Sequence, residues 1–235
     1  MNILLVGYGK MGRIIEQTAL RRGHSIAGRI DVDNTGDLNH LSADVAIEFS
    51  HPDAAFDNVR RCLERGIPVV CGTTGWLARK AEIERLCASL NGSFFYASNF
   101  SPGVNILFKV NEYLAGIMNS FPSYQISMDE THHTEKKDAP SGTAITLAEG
   151  ILKHVERKQK WTAGNEGGPE EIAITSFRMA QFPGTHVVKY TSEIDDIELK
   201  HTAHSREGFA LGAVMVAEWL PGRKGSLSMD DFLKF

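Results

Sequence analysis

Apolar residues in the first hundred positions fall into short unbroken runs, separated by longer stretches in which they recur every three or four residues. The runs are 2–6, 25–30, 45–49, 69–71 and 93–96, and the periodic stretches are 11–22, 53–65 and 77–90. Runs of strand length alternating with amphipathic stretches of helix length predict strand–helix–strand units and a doubly wound parallel sheet. Beyond 99–103 the pattern changes. A long helix over 104–118 precedes strand-like stretches at 124–132, 171–180, 185–191 and 196–203, with a helix over 144–156 and a glycine-rich loop at 163–169 among them. This part predicts a second, α+β domain. A last apolar helix over 208–220 is expected to return to the first. The expected division is therefore 1–102 with 207–235, and 103–206.

The composition narrows what such a fold does. The chain has 235 residues, 25 Lys and Arg against 29 Asp and Glu, and a formal net charge of -4. No basic face is evident, so nucleic acid is not an expected partner. The densest basic stretch, 153–160, is broken by Glu156 and reads as a solvated helix face. Cys62, Cys71 and Cys87 are odd in number and lack metal-ligand spacing, which points to a reducing cytoplasm and away from a disulfide framework or a zinc site. The N-terminal apolar run stops at Gly7 without a basic leader, so neither export nor a membrane is expected.

Gly7-Tyr8-Gly9-Lys10-Met11-Gly12 follows the first run and opens the first helix. In a G-x-G-x-x-G turn the first glycine permits the tight bend, the second admits a pyrophosphate, and the third lets helix and strand pack closely. The phosphates then sit on free N–H groups at the positive end of the helix. Asp31 closes the second run about twenty residues on, where a carboxylate accepts hydrogen bonds from a ribose. These features predict a Rossmann-type dinucleotide site. Arg29 shares a strand face with Asp31 and stays within reach of a 2′-phosphate, but the carboxylate would repel that group, so NADH is expected over NADPH. Ligands lie at the carboxyl ends of such strands, which adds Phe49-Ser50-His51, Gly72-Thr73-Thr74-Gly75 and Ala97-Ser98-Asn99-Phe100 as candidate cofactor contacts.

The segment from His132 to Thr143 carries the chemistry. It ends a strand, places two histidines near Lys136 and Lys137, and leads through Pro140-Ser141-Gly142-Thr143 into a helix. Cation, proton donor and helix-start anion cradle thus converge within one segment. A metal site is not expected, because adjacent histidines on a strand point to opposite faces.

With these residues in view, the chain resembles the dihydrodipicolinate reductase (4-hydroxy-tetrahydrodipicolinate reductase) family over nearly its full length. The resemblance rests on the glycine turn, Glu48-Phe49-Ser50-His51-Pro52, Gly72-Thr73-Thr74-Gly75-Trp76 and Asn99-Phe100-Ser101. It continues through the segment from His132 to Ala144 and through His204-Ser205-Arg206. It implies NADH- or NADPH-dependent reduction of 4-hydroxy-tetrahydrodipicolinate, a cyclic dicarboxylate, in diaminopimelate and lysine biosynthesis. By motif match, it implies His132 and Lys136 as the proton-donating pair, and His133, Lys136, Gly142 and Thr143 as holders of the substrate carboxylates. Gly7, Lys10, Met11, Gly12, Asp31, Gly72, Thr74, Ser98 and Phe100 fall at cofactor positions. Gly9 and Phe49 join them from the turn and the third strand end. The resemblance also implies a homotetramer formed through the second domain.

Overall fold

The computed structural model describes residues 1–234. Phe235, with which the expected first domain ends, lies outside the described residues. The chain divides into two compact units, Met1–Pro102 joined by the described part of Glu207–Phe235, and Gly103–Arg206.

The first unit is built on strands β1 (Asn2–Val6), β2 (Ser25–Ile30), β3 (Val45–Glu48), β4 (Val69–Cys71), β5 (Ser93–Tyr96) and β11 (Gly225–Leu227). They form one parallel sheet in the order β11-β5-β4-β3-β1-β2. Alternate residues of the central strands serve opposite faces. Ile3, Leu5, Val45, Ile47, Val70 and Phe95 join the cluster under α1 (Lys10–Arg21) and α6 (Glu207–Trp219). Leu4, Val6, Ala46, Val69, Cys71 and Phe94 join the one under α2 (Pro52–Glu64) and α3 (Lys80–Ser89). Burial on both faces is why these strands read as unbroken apolar runs rather than as alternation. The strand order reverses between β1 and β3, so the helices that follow these two strands leave toward opposite faces and open a crevice at their carboxyl ends.

The second unit carries a mixed sheet in the order β10-β9-β6-β8-β7, from β6 (Gln125–His132), β7 (Lys160–Ala163), β8 (Glu171–Arg178), β9 (Gly184–Thr191) and β10 (Asp196–Ala203). One face is covered by α4 (Pro102–Met118) and α5 (Gly142–Leu152), whose Leu107, Met118, Leu147 and Ile151 pack on Ile126, Met128, Ile174, Val188 and Tyr190. The other face is open, and there Phe177 is about half exposed.

Several expectations are corrected. The stretch 77–90 is a short 3-10 turn, Leu77–Arg79, followed by α3. The helix expected over 144–156 runs instead over Gly142–Leu152. The basic residues beyond it are not a solvated helix face: Arg157 donates to the carbonyls of Met118, Asn119, Phe121 and Tyr124, and buried Lys158 donates to those of Pro169 and Glu171. These cations add donors to carbonyls at the end of α4, in the loop that follows it and at the start of β8. Strands β7 and β11 and helix α7 (Met229–Leu233) were not foreseen. They are short edge and terminal elements with little apolar periodicity.

Candidate active site

In the first unit the three glycines of the turn have three different surroundings. Gly7 has φ +92°, and a Cβ there would lie 2.1 Å from the Phe49 carbonyl oxygen. At Gly12 it would lie 2.3 Å from the Gly7 carbonyl oxygen, so the start of α1 lies directly on the turn. At Gly9 it would meet nothing within 4 Å. Gly9 also caps α1 without a side-chain hydrogen bond. The first helical N–H groups therefore face open space, which fits a pyrophosphate.

Two depressions flank this helix start. One, of about 220 Å³, is lined by Gly7, Gly9, Ile30, Asp31, Phe49 and His51 among others, and the second, of about 330 Å³, by Gly9, Lys10, Met11, Phe49, Gly72 and Thr74 among others. Eight of the candidate cofactor residues thus surround one helix start. Gly12 lies beneath it, and Ser98 is exposed after β5. Phe100 is 2% exposed and packs on Phe49 and Phe95, so it serves the wall of the site through Phe49.

Asp31 is exposed, and its Oδ1 accepts from the Val32 N–H. Arg29, the cation nearest in sequence, donates to Glu16, and its guanidinium lies over the Tyr8 ring at 5.6 Å. Tyr8 also donates to Glu16. The Arg29 hydrogen bond, outweighing the cost of burial, holds the Glu16 carboxyl below its usual range.

In the second unit the segment from His132 to Thr143 leaves the end of β6 and enters α5. His132 is buried. Its ring edge lies against Gly184, where a Cβ would come within 3.2 Å of both Cδ2 and Nε2. His133 is half-buried, and its Nδ1 is buried without a partner. The Lys136 ammonium donates to both oxygens of Asp138 at 2.8 Å. Burial raises the Asp138 carboxyl, but the Lys136 bond, a backbone hydrogen bond and the Lys136 charge together keep it low. Ser141 caps α5 by accepting from the Ala144 N–H. Gly142 is exposed, with open space where a side chain would stand, and Thr143 follows half-buried. The start of α5 shares with that of α1 a glycine with open space beside it and the positive end of a helix, suited to a carboxylate.

Four further residues at this site were not singled out from the sequence: Glu130, Ser176, Arg178 and His186. Strand alternation sets Glu130 on the same face as His132. Register brings Ser176 and His186 opposite Glu130, and Arg178 opposite His132. Glu130 accepts from the Ser141 N–H, the Ser176 hydroxyl and the Arg178 guanidinium. Burial alone would raise its carboxyl, but the facing His132 ring and hydrogen bonds from Ser141 and Ser176 hold it far below the usual range. Burial, and then the charge of His132, push the His186 imidazole down to about 4, so it is neutral at physiological pH. The spacing Glu-x-His on a strand was the available signal for Glu130. Nothing local marks the other three, because only strand register places them here.

Ligand atoms of Glu130, His132 and His186 lie within 4.8 Å of one another. The carboxylate oxygens are already occupied by three donor groups, one of which, Arg178, contributes a positive charge, so the cluster reads as a hydrogen-bonded network rather than a metal centre.

Residues 1–100 match the family model described as "Dihydrodipicolinate reductase, N-terminus", and residues 103–233 match its C-terminal counterpart. A 4-hydroxy-tetrahydrodipicolinate reductase from Christiangramia forsetii is 48% identical over 99% of this chain and 98% of its own. One from Archaeoglobus fulgidus is 33% identical over 96% of each. The fold superposes on a dipicolinate-bound dihydrodipicolinate reductase from Paenisporosarcina sp. TG-14 with a TM-score of 0.79, at 20% identity and 99% coverage of both chains. No helix among the described residues is long and apolar enough to cross a membrane. The chain belongs to the dihydrodipicolinate reductase family, a family of NAD(P)H-dependent oxidoreductases.

Proposed function

We propose that this protein reduces 4-hydroxy-tetrahydrodipicolinate to tetrahydrodipicolinate in diaminopimelate and lysine biosynthesis, with NADH as its preferred reductant. The observation that carries the chemistry is the joining, through Glu130 and Arg178, of His132, the Lys136 loop and the Ser141-capped start of α5 into one network at the end of β6. The full-length relationship to proteins of that activity supports the substrate. A bound nicotinamide supplies the hydride. Gly7, Gly9, Lys10 and Met11 would hold the dinucleotide phosphates, with Gly12 packed beneath them; Asp31 would hold the adenosine ribose, and Phe49, Gly72, Thr74 and Ser98 the remainder, with Phe100 supporting Phe49 from behind. His133, Gly142 and Thr143, with Lys136, hold the dicarboxylate. His132 and Lys136 donate the proton that balances the hydride as the 4-hydroxyl is lost as water. Orientation and charge neutralisation account for most of the rate.

The preference for NADH is supported by the exposed Asp31 carboxylate and by the engagement of Arg29 with Glu16, which leaves that guanidinium committed elsewhere. The open face of the second sheet, with half-exposed Phe177, supports assembly as a homotetramer, readable as molar mass in solution. Three buried free cysteines support a reducing, cytoplasmic location. Incubation with freshly condensed pyruvate and aspartate semialdehyde tests the function: nicotinamide absorbance should fall with both reductants, with the higher kcat/KM for NADH. A higher value for NADPH would overturn the preference, and no consumption of either would overturn the activity.

A further inference from the structure

Glu130 is fully buried, yet it meets the proposed chemical segment at both His132 and Ser141. Its Oε1 accepts from the Ser141 N–H at 3.1 Å, the Ser176 hydroxyl at 2.8 Å and Arg178 at 3.3 Å. Its Oε2 accepts from the Ser141 N–H at 3.1 Å and stands 3.4 Å from His132 Nδ1 and 3.7 Å from His186 Nε2. Arg178 extends the network by donating to the carbonyls of Lys136 at 3.3 Å and Asp138 at 2.6 Å. One ion pair thus ties together the strand end that carries His132, the loop that carries Lys136 and the cap of α5.

A purely structural role accounts poorly for this arrangement. A buried ion pair contributes little or nothing to stability relative to apolar residues of the same volume, because desolvating two charges consumes most of their attraction. What the pair does supply is a fixed negative charge beside one imidazole nitrogen. The 3.4 Å separation is long for a formed hydrogen bond, and His132 Nδ1 is otherwise buried without a partner, so the carboxylate is the acceptor at hand when that nitrogen carries a proton. The opposite edge of the ring, at Nε2, lies against a position without a side chain, Gly184.

We propose that Glu130, balanced by Arg178, is the positioning residue of the proton donor: it holds Nδ1 of the His132 ring, leaves Nε2 for the substrate, and stabilises the protonated ring. This rests on the reading of His132 as the donor. The other groups around the ring are consistent with that role. Arg178 comes from β8 and is paired to Glu130. His186 comes from β9 with its ring 4.9 Å from that of His132, and His201 of β10 lies across from His186. Lys136, on the loop, is compensated by Asp138.

The test compares Glu130→Gln, which keeps size and an acceptor, with Arg178→Met, which leaves the carboxylate uncompensated. His132 is followed by nitrogen NMR in ligand-free protein, assigned with His132→Gln, and kcat and KM are measured across pH. In Glu130→Gln the pH midpoint of His132 should move down by about one unit or more, and in Arg178→Met it should move up. The alkaline limb of kcat should follow in each case. Turnover of Glu130→Gln should fall on the order of tenfold or more, with NADH affinity within about twofold of wild type. Loss of packing would move both variants alike, so opposed shifts separate positioning from structure. If Glu130→Gln does not fold, the Glu130→Gln/Arg178→Met double variant removes both charges together, and it should fold with His132 titrating at lower pH than in the wild type. Equal titration of His132 in the wild type and the variants would overturn the proposal. Full turnover by His132→Gln would instead withdraw the donor assignment itself, a result independent of what Glu130 does to the ring.

Discussion

A methyl group at Gly9 would meet nothing within 4 Å, whereas at Gly12 it would stand 2.3 Å from the Gly7 carbonyl oxygen. The two substitutions should therefore fail differently. Gly9→Ala should keep the wild-type thermal midpoint and lose cofactor affinity, because the methyl occupies the space above the helix start that a pyrophosphate needs. Gly12→Ala should cost about 1–3 kcal/mol in denaturant unfolding, because backbone must move to admit it. Identical effects of the two on stability would contradict this division of roles. Lys136 makes the matching case for the chemistry. Lys136→Ala should lower kcat on the order of 100-fold or more while the NADH dissociation constant stays unchanged. A variant with normal kcat would remove Lys136 from the mechanism. The turn at Gly7, Gly9 and Gly12 and its position before α1 were legible in sequence because a turn is a local object whose residues are neighbours in the chain.

The start of α5 shows where local legibility ends. Pro140-Ser141-Gly142-Thr143 announces a helix cap, and the cap is there: Ser141 accepts from the Ala144 N–H while its own N–H donates to Glu130. Ser141→Ala should cost about 1 kcal/mol for the cap. It also removes the hydroxyl that meets His186 Nε2 at 3.1 Å, so the measured loss should exceed that of an isolated cap. A loss below about 0.5 kcal/mol would mean that the cap is redundant. The partners Glu130, Ser176, Arg178 and His186 were invisible from the segment itself because they arrive from three strands. Register between strands distant in sequence is not written in any one of them. Elements followed the same rule. Long periodic helices and doubly buried strands were legible to within a few residues, whereas the four-residue β7, the three-residue β11 and the 3-10 turn at Leu77–Arg79 had too little apolar repetition to declare themselves.

For the whole molecule, pH dependence of stability follows from the buried groups. The His186 imidazole titrates near 6.5 when unfolded and is pushed down to about 4 in the folded protein, by burial first and by His132 second. Between those values the unfolded chain binds a proton that the folded one refuses, so stability falls as pH drops from 6.5 toward 4, by on the order of 3 kcal/mol for this group alone. Glu130 acts lower: its depressed carboxyl contributes stability that is complete above about 4.5 and is lost below it. Denaturant midpoints should therefore decline from pH 6.5 downward in the wild type and much less in His186→Gln, with a further decline below pH 4.5 in both. A flat wild-type profile down to pH 4.5 would contradict a buried neutral His186. At this scale, what the sequence made legible was the βαβ alternation, the glycine turn and the His132-to-Thr143 segment. It could not supply the buried ion pair that joins the proposed chemical groups.

In the proposed reaction, hydride passes from a nicotinamide cofactor to the ring of 4-hydroxy-tetrahydrodipicolinate. Supplying each C4-deuterated epimer of NADH with freshly condensed pyruvate and aspartate semialdehyde, and reading the mass of the tetrahydrodipicolinate formed, tests that most directly. Deuterium should appear in the product from one epimer and be absent from the other. Cofactor oxidation without deuterium in the product from either epimer, or no oxidation at all, would contradict it.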